Sequence, residues 1–293
     1  MGKMYQNAPT FSRTEIPPRA VWYNWRMEKR QGMKRFEDKV VLVTGGNRNT
    51  GLDIVARFAA EGARVWMCGS TAASTAKGAG ILAARGVAGV RALPCDISDA
   101  AQVSALFDAI GREEGRLDVL VNNAANQGIG QGGPLEMDPA DMLEVFKTNV
   151  FGGFRVTQEA CRRFFARQET RGCVVFLSSN TARRAIRGRT AYCASKGAIN
   201  SLVRSLALDL GPMGIRVNCC APGYIRTERW DTLDPAVAAR RRKNCPLGRE
   251  ASGADIAGVV AFLASDDASN MTGEIVTVDA GCSSQHMPPD CDC

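Results

Sequence analysis

Histidine is almost missing from this sequence of 293 residues. The single copy, His286, lies close to the C-terminus, far along the chain from any serine at a predicted strand end. A Ser-His-Asp hydrolase needs a histidine beside its nucleophile, and zinc sites draw heavily on imidazole ligands. The sequence therefore argues against a serine hydrolase and predicts no metal site.

Long apolar runs are missing as well. No stretch of about 18 apolar residues occurs, and the N-terminus lacks the apolar segment of a signal peptide. We therefore expect no membrane-spanning helix and a cytoplasmic protein. Many of the eleven cysteines lie within apolar segments, and we expect free thiols in a reducing compartment.

Positive charge is concentrated at one end of the chain. Residues 1–36 hold eight basic and two acidic residues, which accounts for most of the net charge of +7. The nearly neutral remainder does not indicate a nucleic-acid-binding domain. Residues 1–36 are predicted to be an arm, with aromatic and basic residues mixed in Val21–Arg30. We expect it to pack on its own domain or on a neighbouring subunit, with an anionic surface or disorder as alternatives.

Strand-like and helix-like segments alternate from residue 37 to residue 284. Apolar strands are predicted at 40–43, 64–68, 90–94, 117–121, 174–177, 215–219 and 274–279. Helices are predicted at 52–58, 72–85, 99–114, 139–166, 192–210 and 254–264, whereas residues 224–250 look irregular and residues 285–293 form a tail. This alternation predicts one α/β domain, with a seven-stranded parallel sheet covered by helices on both faces.

A glycine-rich turn follows the first predicted strand. Thr44–Gly51 joins Val40–Val43 to a helical segment, an arrangement that aims backbone N–H groups at a pyrophosphate. Asn122, Asn123 and Ser179 end later strands. Because ligands of parallel sheets bind at the carboxyl ends of the strands, we expect these residues to share one site.

Tyr192 and Lys196 lie four residues apart on a predicted helix and so share one face. A tyrosine hydroxyl ionises near pH ~10, and a neighbouring ammonium group favours the phenolate. We therefore expect Lys196 to lower the pKa of Tyr192 and make it a proton carrier. Such pairs also arise on helices by chance, so the interpretation depends on the other motifs.

The motifs occur in a distinctive order: Thr44-Gly45 to Gly51, Asp96-Ile97, Asn122-Asn123-Ala124, Asn149, Ser179, Tyr192 with Lys196, and Pro222-Gly223 with Thr227. Together they resemble the short-chain dehydrogenase/reductase family, over about residues 36–284. The resemblance implies a single doubly wound Rossmann domain. It also implies an NAD(P)-dependent oxidoreductase that acts on CH–OH donors.

The resemblance assigns a role to four candidate catalytic residues. Tyr192 is similar to the general acid/base that exchanges a proton with the substrate oxygen. Lys196 is similar to the lysine that lowers the tyrosine pKa and bonds the nicotinamide ribose. Ser179 is expected to hold and polarise the carbonyl, and Asn149 to hold a water that links the lysine to solvent.

The resemblance also implies a set of cofactor-binding residues. Asp96 is expected to bind the adenine amino group, and Pro222–Thr227 to position the nicotinamide carboxamide. The full set is Gly45, Arg48, Asn49, Thr50, Gly51, Ser70, Thr71, Asp96, Ile97, Asn123, Ala124, Tyr192, Lys196, Pro222, Gly223, Ile225 and Thr227.

Two positions depart from the family pattern. Asn49 stands where the turn usually has its middle glycine, and asparagine tolerates a positive φ better than most residues do. Ala125 replaces the usual glycine of Asn-Asn-Ala-Gly, and its methyl group is expected to crowd the cofactor or narrow the substrate entrance. Neither change removes a candidate catalytic group.

The end of the second strand bears on the choice of cofactor. NAD-preferring members of the family usually carry an acid there, whereas this chain has Cys68-Gly69-Ser70-Thr71. Arg48 stands where a basic residue often meets the 2′-phosphate. We therefore expect a preference for NADP(H), with NAD(H) as the alternative.

The substrate is expected to be a small molecule walled by Asn126–Gly133, Thr181–Arg189 and Tyr224–Leu247. The first wall is glycine-rich, and the second holds Arg183, Arg184, Arg187 and Arg189. An arginine facing the pocket would bind a carboxylate, with a solvated loop or a subunit contact as the alternative. We expect a secondary alcohol or ketone on a bulky apolar skeleton, such as a bile-acid-like hydroxysteroid.

Three other functions remain open at this point. A 3-oxoacyl-thioester (acyl carrier protein) reductase and a sugar or polyol dehydrogenase would use the same residues. A cofactor-sensing regulator would typically lack Tyr192 or Lys196, which are both present. By resemblance we also expect a homotetramer or homodimer that pairs through the Asn149 and Tyr192 helices and the last strand.

Overall fold

In the part of the chain that the structure describes, seven strands form a single, entirely parallel sheet. The computed structural model describes residues 34–128, 133–168, 172–230 and 232–286. The strands are β1 (Val40–Thr44), β2 (Arg64–Gly69), β3 (Val90–Pro94), β4 (Val119–Asn122), β5 (Cys173–Leu177), β6 (Arg216–Pro222) and β7 (Ile275–Val278). Their order is β3-β2-β1-β4-β5-β6-β7, which confirms the predicted doubly wound α/β fold.

Helices cover both faces of the sheet. They are α1 (Thr50–Ala60), α2 (Ala72–Ala84), α3 (Ala100–Glu114), α4 (Pro139–Phe146), α5 (Gly153–Ala160), α6 (Thr190–Leu210), α7 (Pro235–Lys243) and α8 (Gly253–Ala264). Alternate strand residues enter two apolar cores. Val40 and Leu42 pack towards α3, α5 and α6, and Val41 and Val43 towards α1 and α8. Burial on both faces explains why the central strands are apolar without a polar alternation.

The long helical segment predicted at 139–166 is interrupted twice by π-helical turns. Lys147–Gly152 separates α4 from α5, and Cys161–Phe165 follows α5. Turns of this kind often occur at functional sites because they rotate one residue out of the regular helical spacing. The first one carries Asn149, and it determines where that side chain points.

One element contradicts the sequence-based prediction. Residues 224–250 were expected to be irregular, but α7 occupies Pro235–Lys243. Asp234 caps this helix by accepting from the Ala236 amide at 2.7 Å, and Pro235 suits the first turn. The arginine-rich sequence has no apolar stripe of helical period, so periodicity alone could not identify it.

Some predictions lie outside the described residues. They are the arm through residue 33, the centre of the glycine-rich loop at 129–132 and the tail at 287–293. None of the helices that are described is both long enough and apolar enough to cross a bilayer.

Candidate active site

The carboxyl ends of β1 and β4 meet at the centre of the sheet, where the winding direction reverses. Thr44 and Asn122 lie side by side in the β1–β4 register. The side-chain amide of Asn123 donates to the carbonyls of Thr44 and Gly45 at 3.0 and 2.9 Å. The Thr44 hydroxyl accepts from the backbone amides of Asn123 and Ala124 at 3.1 and 3.2 Å. The glycine turn and the Asn122–Ala125 segment are therefore fixed to each other.

The glycine turn leaves no room for side chains where it contacts Ala124, in the segment that follows β4. Gly45 has φ +62°, and a Cβ atom there would lie 2.7 Å from the Ala124 Cα. Gly51 is equally constrained, since its Cβ would collide with the Gly45 carbonyl oxygen. Asn49 adopts φ +47°, so this asparagine does take the positive φ that the usual glycine would supply.

The N-terminus of α1 is open towards the strand ends. Within the described residues, the Asn49 side chain makes no capping hydrogen bond to the helix, and Arg48 and Asn49 are exposed. The Gly51 and Leu52 amides donate to the Arg48 and Asn49 carbonyls at 3.0 Å. A helix N-terminus without a side-chain cap, next to a glycine-rich turn, still presents the positive end of the helix dipole to a pyrophosphate. The residues present therefore fit the dinucleotide that the sequence predicted.

The ends of β2 and β3 flank this turn. Ser70 is exposed, whereas the Thr71 hydroxyl caps α2, accepting from the Ser74 amide at 3.2 Å and donating to the Ser74 hydroxyl at 2.9 Å. Asp96 is half-buried and accepts from the Ser98 amide at 2.9 Å, and Ile97 beside it is buried. The hydroxyl of Thr71, predicted as a cofactor donor, is thus already engaged by its own helix.

Ser179, Tyr192 and Lys196 converge at the end of β5. The Tyr192 hydroxyl faces the Ser179 side chain, and the Ser179 hydroxyl donates to the Pro222 carbonyl at 3.5 Å. Lys196 Nζ lies 5.5 Å from the Tyr192 ring centroid and donates to the Leu177 carbonyl at 2.7 Å. The structure therefore brings together three of the four predicted catalytic residues, with the lysine bound to the last residue of the strand.

The electrostatics of the Tyr192–Lys196 pair differ from the prediction. Burial raises the pKa of Tyr192, and the neighbouring Ser179 side chain and the charge of Arg189 oppose that effect. Burial also lowers the pKa of Lys196 to about 8. The pKa of Tyr192 is therefore shifted in the direction opposite to the sequence-based expectation. Burial disfavours the ammonium as well as the phenolate, and Lys196 is held by a backbone carbonyl rather than by the phenol oxygen.

Asn149 belongs to a buried polar network. Its side chain accepts from the Asn126 amide at 2.7 Å and donates to the Asn126 carbonyl at 2.9 Å. Its Nδ2 also donates to the Ser195 hydroxyl at 3.0 Å, and that hydroxyl donates to the Tyr192 carbonyl at 2.8 Å. Sequence reasoning missed Ser195. The available signal was its position directly before Lys196, on the buried side of the helix.

The segment after β6 passes over the site and is held at both ends. The Gly223 amide donates to the Val278 carbonyl at 3.0 Å, and a Cβ on Gly223 would collide with Asp279. Ile225 bridges to Ala251, and the Thr227 carbonyl accepts from the Trp230 amide at 2.9 Å. The candidate nicotinamide segment Pro222–Thr227 is thus tied to β7 and to the residues before α8.

Two of the four arginines predicted near the substrate bind the protein itself. Arg184 donates to the Cys282 carbonyl, and Arg189 donates to the Gln127 carbonyl at 2.5 Å. Arg183 and Arg187 are exposed. Arg184 therefore fastens the C-terminal turn, which leaves Arg183 and Arg187 as the exposed arginines of this loop.

A glycine turn at the reversal point of a parallel sheet, with a serine, a tyrosine and a lysine at the adjoining strand end, defines an NAD(P)-dependent oxidoreductase. Comparison with known proteins gives the family. The family profile described as enoyl-(acyl carrier protein) reductase matches residues 46–283.

The curated relatives and solved structures agree with this class. 3-Oxoacyl-[acyl-carrier-protein] reductase MabA of Mycobacterium avium is 35% identical, over 87% of this chain and 94% of the relative. Galactitol 2-dehydrogenase of Agrobacterium fabrum is 36% identical, over 84% of this chain and 98% of the relative. The crystal structure of levodione reductase has a TM-score of 0.77 at 33% identity, with 86% and 100% of the two chains covered. The chain belongs to the short-chain dehydrogenase/reductase family.

Proposed function

We propose that this enzyme interconverts a secondary alcohol and a ketone, with NADP(H) as the preferred cofactor. The observation that carries the proposal is that the Ser179 and Tyr192 side chains meet at the end of β5, with buried Lys196 5.5 Å from the Tyr192 ring centroid. The bound nicotinamide supplies or accepts the hydride. The test is a panel of secondary alcohols and ketones with both cofactors, read by nicotinamide absorbance. A cofactor-sensing regulator would bind NADPH and turn over no member of the panel.

The proposed roles follow from position and charge. In the reductive direction, Tyr192 gives its hydroxyl proton to the substrate oxygen while Ser179 donates a hydrogen bond to that oxygen. A raised pKa keeps Tyr192 protonated at neutral pH, which suits reduction. Lys196 holds the nicotinamide ribose and stabilises the phenolate left behind. Asn149 fixes the first turn of α6 through Ser195, and we propose that it also holds a water next to the lysine.

The preference for NADP(H) rests on the end of β2. Residues 69–71 offer no carboxylate to the adenosine ribose, and Arg48 is exposed on the adjoining turn. Arg48→Ala is expected to lower kcat/KM for NADPH while sparing NADH. Arg112→Ala, which removes an exposed arginine from α3, is the control. A preference for NADH that Arg48→Ala leaves unchanged would contradict this assignment.

For the substrate we propose a bulky apolar skeleton such as a hydroxysteroid, with an acidic group that contacts Arg187. Tyr224 and Trp230 lie edge to face at 6.4 Å in the segment after Gly223, and we expect them to form an aromatic wall of the substrate pocket. Arg187→Ala is expected to raise KM for acidic substrates only. Turnover restricted to short neutral ketones, with acidic substrates indifferent to Arg187→Ala, would contradict the proposal.

A 3-oxoacyl-thioester reductase is the second candidate. It is favoured by the 35% identity with MabA and by the exposed basic residues Arg183, Arg187 and Arg240. A polyol dehydrogenase is favoured only by the galactitol enzyme. Including a 3-oxoacyl thioester and a hexitol in the panel distinguishes the three, because each candidate predicts a different substrate with the highest kcat/KM.

We propose a homotetramer or homodimer that pairs through the Asn149 and Tyr192 helices. Leu143, Phe151 and Leu208 are 58%, 52% and 79% exposed on those helices, unusual for large apolar side chains. Phe151→Asp is expected to reduce the mass measured by light scattering.

The arm predicted at residues 1–36 must end before Arg35, because Arg35 binds Glu61 at 2.7 Å and Phe36 is buried against Phe58. We further propose that residues 1–34 form an arm outside the catalytic domain. Deleting the arm should leave the fold intact, as measured by circular dichroism.

A further inference from the structure

A side chain from α5 binds the backbone of the segment that joins β3 to α3. Arg155 Nη1 donates to the Ile97 carbonyl at 3.2 Å and to the Ser98 carbonyl at 2.7 Å. Because one nitrogen binds both oxygens, the two successive carbonyls face the same way, and the charged guanidinium group stabilises that arrangement. Asp96, the candidate adenine ligand, comes directly before this pair. Arg155 therefore acts on the backbone next to the proposed adenine site.

Close packing brings α5 to this segment. Gly152, directly before α5, is buried, and a Cβ atom there would lie 2.8 Å from Ile97 Cγ1 and 3.2 Å from the Ile97 carbonyl oxygen. Any larger residue at this position would push the helix away from the segment. Arg155 follows Gly152 by three residues, so both lie on the same side of the helix. The arginine side chain is half-buried there.

Hydrogen bonds within the segment set its local shape. The Asp96 carboxylate accepts from the Ser98 amide at 2.9 Å, and the Asp96 amide donates to the Gln102 side chain at 2.9 Å. Asp99 caps α3. These contacts join residues that are close in sequence, whereas Arg155 lies 57 residues beyond Ser98. Arg155 therefore fixes the segment against a different helix of the domain.

We propose that Arg155 is a positioning residue for adenine recognition. It binds the Ile97 and Ser98 carbonyls and so holds the Asp96 carboxylate where the adenine ring would lie. The inference rests on the proposed function, because it assumes that a dinucleotide occupies the strand ends. Without the guanidinium group the segment would be less ordered, and binding of the cofactor would have to order it.

The catalytic half of the site should not depend on Arg155. The Asn149 side chain is bound to the Asn126 backbone and to the Ser195 hydroxyl, and these contacts do not involve the arginine. Loss of Arg155 should therefore weaken binding of the adenosine half and leave the rate at saturating cofactor unchanged. A general loss of stability would not produce that separation of binding from rate.

The test uses three ligands that separate the two halves of the dinucleotide. NADPH carries both halves, 5′-AMP carries the adenosine half, and reduced nicotinamide mononucleotide carries the other half. In Arg155→Met, the Kd for NADPH, measured by fluorescence titration, and the Kd for 5′-AMP, measured by displacement of NADPH, should each rise about tenfold. The kcat/KM for reduced nicotinamide mononucleotide, with a ketone that the parent reduces, should stay within about twofold of the parent's value.

Hydrogen exchange of the protein without cofactor measures the positioning itself. The amides of residues 95–103 should exchange faster in Arg155→Met than in the parent. Arg155→Lys should recover much of the protection and of the affinity, because a single nitrogen serves both carbonyls. Arg155→Gln, which also removes the charge, replaces the methionine variant if that variant fails to fold.

Arg163→Met is the matched control. Arg163 follows α5 and donates to Ser104 and Asp108 of α3 at 2.8 and 2.6 Å, and to Glu159 at 2.6 Å. Its loss removes a similar group of hydrogen bonds from the same pair of helices, away from the segment that follows β3. Arg163→Met should lower the Tm, but its Kd for NADPH and for 5′-AMP should equal the parent's.

Unchanged Kd values for NADPH and 5′-AMP in Arg155→Met would overturn the positioning role. An equal loss with reduced nicotinamide mononucleotide would also overturn it, since the effect would not be confined to the adenosine half. So would an equal rise in Kd in Arg163→Met. A parent protein that binds none of the three ligands would overturn the proposed function, and this inference with it.

Discussion

The two halves of the site are built in different ways. On the adenosine side, β1, β2 and β3 position the backbone itself, through the positive φ of Gly45 and the tight contact of the turn with Ala124. On the catalytic side, side chains hold one another: Lys196 is bound to the Leu177 carbonyl, and Asn149 is bound to Asn126 and Ser195. The first kind of construction follows from a local sequence pattern. The second depends on contacts between residues far apart in the chain.

Lys196→Met should give the largest effect, because it removes the charge from the catalytic side. We expect kcat for ketone reduction to fall by about 10²- to 10⁴-fold, the usual contribution of a general acid–base system. The fold should remain intact by circular dichroism. A fall in kcat of less than about tenfold would mean that Lys196 contributes packing rather than its charge to catalysis.

Gly45→Ala tests the backbone construction of the adenosine side. The new Cβ would lie 2.7 Å from the Ala124 Cα at a φ of +62°. Strain of this kind costs about 1–3 kcal/mol, so we expect a lower Tm and a Kd for NADPH raised by at least about tenfold. Gly86→Ala is the control, because it has a similar positive φ and no neighbour within 4 Å of a Cβ. An equal rise in the Kd for NADPH in the two variants would contradict the claim that the close contact between Gly45 and Ala124 controls binding.

Ser195→Ala tests whether side chains hold the catalytic half. Loss of the hydroxyl leaves the Asn149 amide with one partner fewer and loosens the first turn of α6. We expect kcat to fall by about tenfold with little change in the KM for NADPH, since a lost hydrogen bond in a buried network costs about 1–3 kcal/mol. Ser195→Thr should recover most of the rate. A change in KM alone would place Ser195 in cofactor binding instead.

The pH dependence should give the smallest effect. Alcohol oxidation needs the Tyr192 phenolate, so its rate should rise with pH, whereas reduction needs the phenol and should fall at high pH. The charge of Arg189 lowers the pKa of Tyr192 against the effect of burial. Arg189→Ala should therefore move both limbs of the profile to higher pH, and Arg187→Ala in the same loop should not. A shift of the profile to lower pH would mean that Arg189 raises the pKa of Tyr192, which contradicts this prediction.

The contrast between local backbone construction and long-range side-chain contacts also explains what the sequence alone could predict. The strands, the glycine turn and the meeting of Ser179 with Tyr192 were predictable, because apolar runs and turn residues act locally and strand ends share one edge. The positive φ of Asn49 was predictable from the chemistry of asparagine.

Three features depended on contacts that no local pattern specifies. Helix α7 was missed because it has no apolar stripe and its arginines pack on residues outside the helix, with Arg241 5.6 Å from the Trp230 ring and Arg242 bound to Glu250 at 2.7 Å. The expected substrate arginine Arg184 binds the Cys282 carbonyl instead. The sign of the Tyr192 pKa shift depended on burial, which charge spacing does not reveal.

Hydride transfer in Tyr192→Phe tests the central claim most directly. The parent and the variant are each saturated with NADPH and mixed with a ketone that the parent reduces, and the loss of nicotinamide absorbance is followed. If Tyr192 is the proton donor, the variant should bind NADPH with the parent's Kd and reduce the ketone at least about 10²-fold more slowly. Reduction by the phenylalanine variant at the parent's rate would contradict the account.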